Sequence, residues 1–467
     1  MKKYLLLLFV VVQFWYAKAA TYNVGPTRTY VSPNALYLAN VLLDGDIVEI
    51  DFATYTGTAS LALWSKNNLI IRGIGGRPHM VANNTSIQGK SIWITSGNNI
   101  TVENIEFSGC VVPDKNGAGI RAEGPDVTIR NCYFHNNENG ILTGNPLSGE
   151  VLIEYCEFAY NGYGDGQSHN LYIGRVNKLT FRYNYSHHCN IGQSLKSRAK
   201  TNLILYNRIS DEATGNSSRL IDLPNGGLSI VMGNVLMQGP NAVNNNLVGY
   251  GLEGLTNPVS EFYLINNTLI NKRTASCIFI HIQPGTTVAQ VSNNIFAGTG
   301  TLVNGTITAQ SNNLIQASIA AIKFVDEVNY NYKLLATSPA INAGTALSNA
   351  SGYSLVPTLE YVHPVNAESR VIIATIDCGA YEYVAPLNAA DFDRTNFKIY
   401  PNPTADFVVI ENFNEINKIQ IIDSMGKIIK DFKPTSNSIS LRDLPNGIYF
   451  VSCSSALYRT TYKVIKM

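Results

Sequence analysis

Lys196 and Arg198 stand two residues apart in the run Gly192-Gln-Ser-Leu-Lys-Ser-Arg-Ala199, and Asp222 follows in Leu220-Ile-Asp-Leu-Pro-Asn-Gly-Gly227. In an extended chain, residues two apart share a face, so the ammonium and the guanidinium point the same way. Around them lie Asp165, Gln167, His169, Asn170, Tyr172, Gln193, Arg219, Asn225 and Glu253, a dense ionisable group on a chain of which only 14% is charged. Such clustering is a site signal. A neighbouring cation lowers a lysine pKa by like-charge repulsion and suits it to take a proton, whereas a contacting Asp222 pushes the other way. A guanidinium, from Arg198 or Arg121, pairs bidentately with a carboxylate and holds the charge that builds there as a proton leaves the adjacent carbon. Tyr172 or His169 supplies a proton for a leaving oxygen, and Asp222 and Asn225 orient these groups or bind hydroxyls.

Short apolar–polar alternations position these side chains. They read Asn99-Ile-Thr-Val-Glu-Asn-Ile-Glu-Phe107, Asp126-Val-Thr-Ile-Arg-Asn-Cys-Tyr-Phe134 and Val151-Leu-Ile-Glu-Tyr-Cys-Glu-Phe158, and they recur through Gln290-Val-Ser-Asn-Asn-Ile-Phe296. The period, roughly 24 to 28 residues, signals a stacked repeat. Period-two alternation makes each unit of short strands, so one unit is one coil of a parallel β-helix, with equivalent positions stacked about 4.8 Å apart. Alignment of the coils puts Ile120, Ile141, Leu171, Leu195 and Ile221 inward and Arg121, Leu142, Tyr172, Lys196 and Asp222 in one outward row. Asn104, Asn131, Asn207, Asn266 and Asn293 are expected at one inward corner position, satisfying turn backbone groups. Cys132 and Cys156 share another position and Cys110 and Cys189 a third, so these are expected as buried stack residues.

Lys+Arg 34 against Asp+Glu 33 leaves a net charge of +1, without the basic excess that phosphate binding needs, so no nucleic-acid partner is expected. Hydrophobic residues at 45% exclude a disordered chain. Lys2 and Lys3, the apolar run Leu5–Tyr16 and Ala17-Lys18-Ala19 form a signal peptide over 1–19; the run is too short to span a bilayer and no later one is long enough. The seven cysteines are odd in number and show no metal-ligand spacing.

Over Tyr22–Tyr383, the repeats, the opening Tyr22-Asn-Val-Gly-Pro with Leu43-Asp-Gly-Asp-Ile-Val-Glu-Ile50, and the close Asp377-Cys-Gly-Ala-Tyr-Glu-Tyr383 resemble the right-handed β-helix proteins of the pectin-lyase-like superfamily. Beyond a linker at 384–394, Tyr400-Pro-Asn-Pro403, Leu444-Pro-Asn-Gly-Ile-Tyr-Phe-Val451 and Tyr462-Lys-Val-Ile-Lys-Met467 resemble the C-terminal sorting domains of type IX secretion in the Bacteroidetes. The fold class implied is all-β: a right-handed parallel β-helix (20–383) followed by a small C-terminal β-sandwich (395–467). The resemblance implies export across the outer membrane by the type IX secretion machinery, then release or attachment at the cell surface. Lys196 is similar to the groove lysine of alginate-lyase and chondroitinase-B-like enzymes, which takes the proton beside a uronate carboxyl. Arg219 or Asp222 stands where those enzymes carry an assisting Arg on the next coil.

The functional expectation is a secreted polysaccharide lyase acting on an acidic, uronate-containing glycan, with catalytic residues Lys196, Arg198, His169, Tyr172 and Asp222. Arg121, Asn170, Gln193, Arg219, Asn225 and Glu253 are the expected substrate-binding residues. A glycoside hydrolase would instead use Asp222 and Glu253 as its carboxyl pair. A uronate epimerase would use the lyase residues, and a surface glycan-binding protein would share the groove without a tuned base. Lys196 and Asp222 also read as an ion pair between coils, worth about 0–1 kcal/mol if exposed. His187 and His188 are expected to be structural, in a turn. No motif demands a cofactor; calcium is the ion this reading admits, with Asp165 in Gly162-Tyr-Gly-Asp-Gly166 as its candidate ligand. A monomer without a transmembrane segment is expected.

Overall fold

The computed structural model describes residues 19–144, 148–385, 398–411, 413, 416–454 and 459–467. The signal peptide expected over 1–19 and the linker expected over 384–394 fall almost wholly outside them. The chain divides into two compact units, 1–384 and 385–467.

In the first unit each complete coil contributes one strand to each of three parallel sheets. Sheet A has 12 strands, sheet B 11 and sheet C 10, and every coil runs A, B, C in sequence before the chain climbs to the next. One coil is Val127–Arg130 in sheet A, Tyr133–His135 in sheet B and Asn139–Thr143 in sheet C. The architecture is thus a parallel β-helix, fed by a short N-terminal helix, Pro33–Ala39, whose cap is the Ser32 hydroxyl accepting from the Ala35 N–H. Inward side chains stack in the same register as the backbone. Phe107, Phe134 and Phe158 are fully buried, with successive rings parallel and 5.1 Å apart. The seven cysteines are free and buried.

From Asn104 onward, two residues join sheet A to sheet B in each coil, and each has its own requirement. The first is left-handed, with φ from 50° to 68° at Asn104, Asn131, Tyr155, Tyr183, Tyr206, Gly233, Asn266, Asn293 and Asn312. The second points inward: Cys132 and Cys156, then Asn184, Asn207, Asn234, Asn267, Asn294 and Asn313. Each ladder Asn donates from Nδ2 to the next Oδ1 at 2.9–3.1 Å. That same Oδ1 accepts a backbone N–H from the coil before, at Asn207 and Asn234 for example. The single Asn position expected from sequence is therefore two positions. Asn207 belongs to the inner ladder, and Asn104, Asn131, Asn266 and Asn293 take the left-handed corner. Asn suits both, because it tolerates positive φ and its amide both donates and accepts; the pairs Asn266-Asn267 and Asn293-Asn294 conceal the offset. His187 also departs from expectation, because it lies in the sheet B strand Tyr185–His187.

Above the coils, the chain from about residue 319 folds back over the solenoid. Phe324, Tyr332, Leu334 and Tyr381 cover outward Val235, Met237 and Ile270 of sheet B, while Leu355 packs with Leu228, Ile230 and Met232 of sheet A. Neither cluster includes an outward residue of sheet C. Arg370, fully buried, pairs with Glu382 at 2.7 Å within this cover.

The second unit contains a three-stranded and a four-stranded antiparallel sheet around Val408, Ile410, Ile419, Ile421, Val451 and Val464. Asn402 of the Tyr400–Pro403 run accepts from the Ile465 N–H and donates to the Lys463 carbonyl, tying the start of the domain to its last strand.

Asn234→Ala strands the Asn207 backbone N–H and the Ile204 carbonyl inside the solenoid. It should cost about 2–4 kcal/mol, whereas Asn131→Gly at the exposed left-handed corner should cost less than about 1 kcal/mol. Equilibrium urea unfolding of the two variants checks the difference.

Candidate functional site

Sheet C carries the outward row. Its strands pair Arg121 with Leu142, Leu142 with Tyr172, Tyr172 with Lys196, Lys196 with Asp222, and Asp222 with Gly249. Ile120, Ile141, Leu171, Leu195 and Ile221 are fully buried behind them. Gly249 offers no side chain above Asp222; Leu252 fills that space, its Cδ1 3.0 Å from where a Cβ would stand.

Three cations, Lys196, Arg198 and Arg219, and two acids, Asp222 and Glu253, meet at this row. Lys196 Nζ lies 2.8 Å from Glu253 Oε1 and 3.8 Å from Asp222 Oδ2. Arg198 spreads its guanidinium over three partners: Nη2 to Glu253 Oε2 at 2.5 Å, Nη1 to Asn225 Oδ1 at 2.6 Å, and Nε to the Tyr172 hydroxyl oxygen at 2.8 Å. Arg219 Nη1 is 3.4 Å from Asp222 Oδ1. Lys196 and Arg198 also stand 6.0 and 5.8 Å from the centre of the Tyr172 ring, within reach of its π face.

Glu253 reaches this cluster from a turn rather than a strand. Gly251 starts the turn at φ 75°, where a Cβ would also come within 2.4 Å of Leu255, so glycine is required there. The Glu253 N–H donates to the Pro224 carbonyl, Asn225 Nδ2 donates to Thr256 Oγ1, and Asn257 Nδ2 donates to the Ala199 and Gly226 carbonyls. These bonds hold the turn against the coils below, while the Glu253 side chain stays 46% exposed.

The acids differ in environment. Burial pushes the Asp222 carboxyl above the usual range, against the pull of Arg219 and Lys196. Its Oδ2 accepts no hydrogen bond and has only the Lys196 ammonium nearby. Burial acts the same way on Glu253, but hydrogen bonds from Lys196 and Arg198 outweigh it and hold that carboxyl below the usual range. The Arg198 guanidinium has its pKa raised: its bonds to Glu253 and Tyr172 outweigh burial.

Other expected residues fall elsewhere. His169 lies beneath the row, stacked on Tyr172 at 5.7 Å and 3% exposed. Its Nδ1 accepts the Gln193 N–H, and burial, then Lys196 and Arg198, drive its pKa down to about 3. That neutral imidazole supports the Tyr172 ring and does not face the groove. Asn170 is turned fully inward. It ends a ladder from Cys110 through Asn137 and Asn161, and its Nδ2 donates to Ser186 Oγ and the His187 carbonyl, so it has no groove atom for a ligand. Gln193 is also buried; its backbone holds His169. Arg121 pairs with Glu123 at 2.7 Å and is separated from Tyr172 by Leu142. Asp165 Oδ1 caps the Gln167 N–H, and Asp165 belongs to no group of three ligand-competent side chains among the described residues. Thr256 and Asn257, which fix Glu253, are the residues that sequence reading misses, because they lie in the one long coil without repeat register.

Residues 70–246 match the family described as right handed beta helix region, and residues 398–467 match the secretion system C-terminal sorting domain. The chain is a right-handed β-helix protein ending in a sorting domain. The crystal structure of pectate lyase Pel9A is similar over 78% of this chain and 97% of that one, at 16% identity and a TM-score of 0.54. A tailspike protein, gp49 from Acinetobacter baumannii bacteriophage Fri1, described as a capsular polysaccharide depolymerase, aligns over 96% of this chain and 78% of its own at 12% identity and a TM-score of 0.34. At these identities the likeness to the lyase is one of fold. No curated protein matches the chain. The sorting domain marks this β-helix protein for export, and no helix among the described residues is long and apolar enough to cross a membrane.

The His169 pKa gives a signed expectation. Folding favours the neutral ring, so its stabilising contribution is present above the unfolded value of about 6.5 and is lost as pH falls from there toward about 3. His169→Gln should flatten the loss of stability between pH 6 and 4, and nitrogen NMR at pH 5 should find the wild-type ring neutral; an imidazolium signal there contradicts this placement.

Proposed function

We propose that this protein is a polysaccharide-active β-helix protein whose sheet C groove binds an acidic glycan and cleaves it by β-elimination. The observation that carries the reading is the position of Glu253. A carboxylate from the protein's own turn lies between Lys196 and Arg198, which supports reading that point of the groove as a place for a carboxylate. A uronate carboxylate of substrate takes the place of Glu253 on Arg198, and the half-exposed Glu253 turns out to solvent. Glu253 then leaves the Lys196 nitrogen, which faces the bound sugar in its place.

In the elimination, the Lys196 amine takes the proton from the carbon bearing the carboxylate. The electron pair left behind forms a carbon–carbon double bond as the bond to the glycosidic oxygen breaks, and Arg198 holds the charge that develops on the carboxylate. Arg198 Nε already donates to the Tyr172 oxygen, so the phenol proton is free to pass to the departing oxygen. Asn225 and Arg219 border the cluster as binding groups. Calcium bridging between polymer and groove is part of the proposal only as an additive, to be compared with chelator in the assay.

One observation favours a second reading, hydrolysis. Asp222 and Glu253 flank the same ammonium with pKa values pushed in opposite directions, the pattern of a general acid beside an ionised partner. Ultraviolet absorbance of unsaturated sugar ends, measured beside reducing ends on a panel of polyuronates and glycosaminoglycans, separates the two. Elimination predicts absorbance that Lys196→Ala abolishes, by about 10³-fold or more for loss of a general base in the groove, and that Glu253→Ala retains with a lower KM. Reducing ends without absorbance, lost in Glu253→Ala, establish hydrolysis instead.

A further inference from the structure

On sheet B, away from the sheet C row, three side chains from three successive coils converge. His79 lies in the strand His79–Val81, Glu106 in Glu106–Ser108 and His135 in Tyr133–His135. The register pairs His79 with Glu106 directly and Ser108 with His135, so the second histidine arrives diagonally, one coil on. His135 Nε2 is 3.0 Å and His79 Nε2 3.5 Å from the same atom, Glu106 Oε1, and the three candidate donor atoms lie within 4.8 Å of one another. All three residues are half-buried, which leaves one side open to solvent.

The hydrogen bonds orient the donors. His135 Nδ1 donates to Asn136 Oδ1 at 2.7 Å, so Nε2 is the ring nitrogen turned to the Glu106 carboxylate. That 3.0 Å contact is bridged by a proton on Nε2 or, once the ring gives it up, by a metal ion. Tyr133 stacks on the His135 ring at 4.4 Å and fixes its plane. His79 Nε2 contacts Ser108 Oγ at 2.7 Å, so a hydroxyl stands at the margin of the cluster as well. In a tetrahedral site with bonds of about 2.0–2.1 Å, the ligand atoms stand roughly 3.3 Å apart, close to the two spacings to Glu106. Two imidazoles and one carboxylate select zinc-class transition metals over calcium or magnesium.

We propose that His79, Glu106 and His135 form a binding site for one zinc-class divalent ion, with the remaining coordination positions open to water and Ser108. The site shares no residue with the groove, so it stands or falls apart from the glycan reading. Its three ligands are separated by 27 and 29 residues, one coil each, and only the solenoid register brings them together.

The test uses the full chain after chelator treatment, titrated with Zn2+ by calorimetry and with Co2+ by visible absorption. One equivalent should saturate, with a Co2+ spectrum of nitrogen and oxygen ligation. His79→Ala and His135→Ala should each weaken binding about tenfold or more. His187→Ala, at the separate His187–Glu157 pair, should leave it unchanged. Glu106→Gln, near-isosteric, repeats the measurement should an alanine variant lose its far-ultraviolet β signal. No saturable uptake, or uptake that survives His79→Ala, His135→Ala and Glu106→Gln, overturns the site and leaves a protonated His–Glu–His stack.

Discussion

Parallel strands stacked about 4.8 Å apart admit one register, and every functional feature of the β-helix inherits it. A slip of one residue would turn Lys196 inward and Leu195 out, so the groove exists only while the inner face is pinned. The inner Asn ladder does the pinning on one corner. Each amide there bonds the amide above and the backbone below, so a displaced coil would leave several buried polar groups unpaired at once. The stacked Phe107, Phe134 and Phe158 rings reinforce the same alignment along the apolar interior.

Against this rigid background the groove chemistry depends on a less rigid part. Tyr172, Lys196 and Asp222 are fixed by strands, but Glu253 comes from a turn held by Asn225, Thr256 and Asn257. The turn carries the one half-exposed carboxylate that reaches both Lys196 and Arg198. Lys196 on its strand, Arg198 just past the strand's end with its N–H on the Ile173 carbonyl, and a turn-borne anion make an arrangement in which the cations keep their place when the anion leaves. The folded-back chain beyond residue 319 packs on outward residues of the later coils of sheets A and B, and neither cluster takes in the outward row of sheet C.

The sequence carried the repeat, the inward and outward faces of sheet C, and the row from Arg121 to Asp222, because period-two alternation and coil spacing are local signals. It did not separate the two corner positions, since Asn satisfies both and often occurs twice in succession. It placed Asn170 and His169 with the groove because they lie close to Tyr172 along the chain. In the fold, alternation sends Asn170 into the interior, and the His169 ring lies beneath the row. The central place of Glu253 was not legible, because the long coil from Gly239 to Gly254 breaks the period. The His79–Glu106–His135 convergence was equally hidden, as its members are one coil apart and carry no motif.

The central claim is that the sheet C groove recognises a carboxylate at the position Glu253 now fills. The most direct measurement is calorimetric binding of an oligouronate beside its carboxyl-reduced, neutral counterpart, to the wild type and to Arg198→Ala. The account predicts binding of the acidic oligosaccharide alone, weakened by added salt and lost in Arg198→Ala. Equal affinity for the neutral oligosaccharide, or undiminished binding by Arg198→Ala, would contradict it.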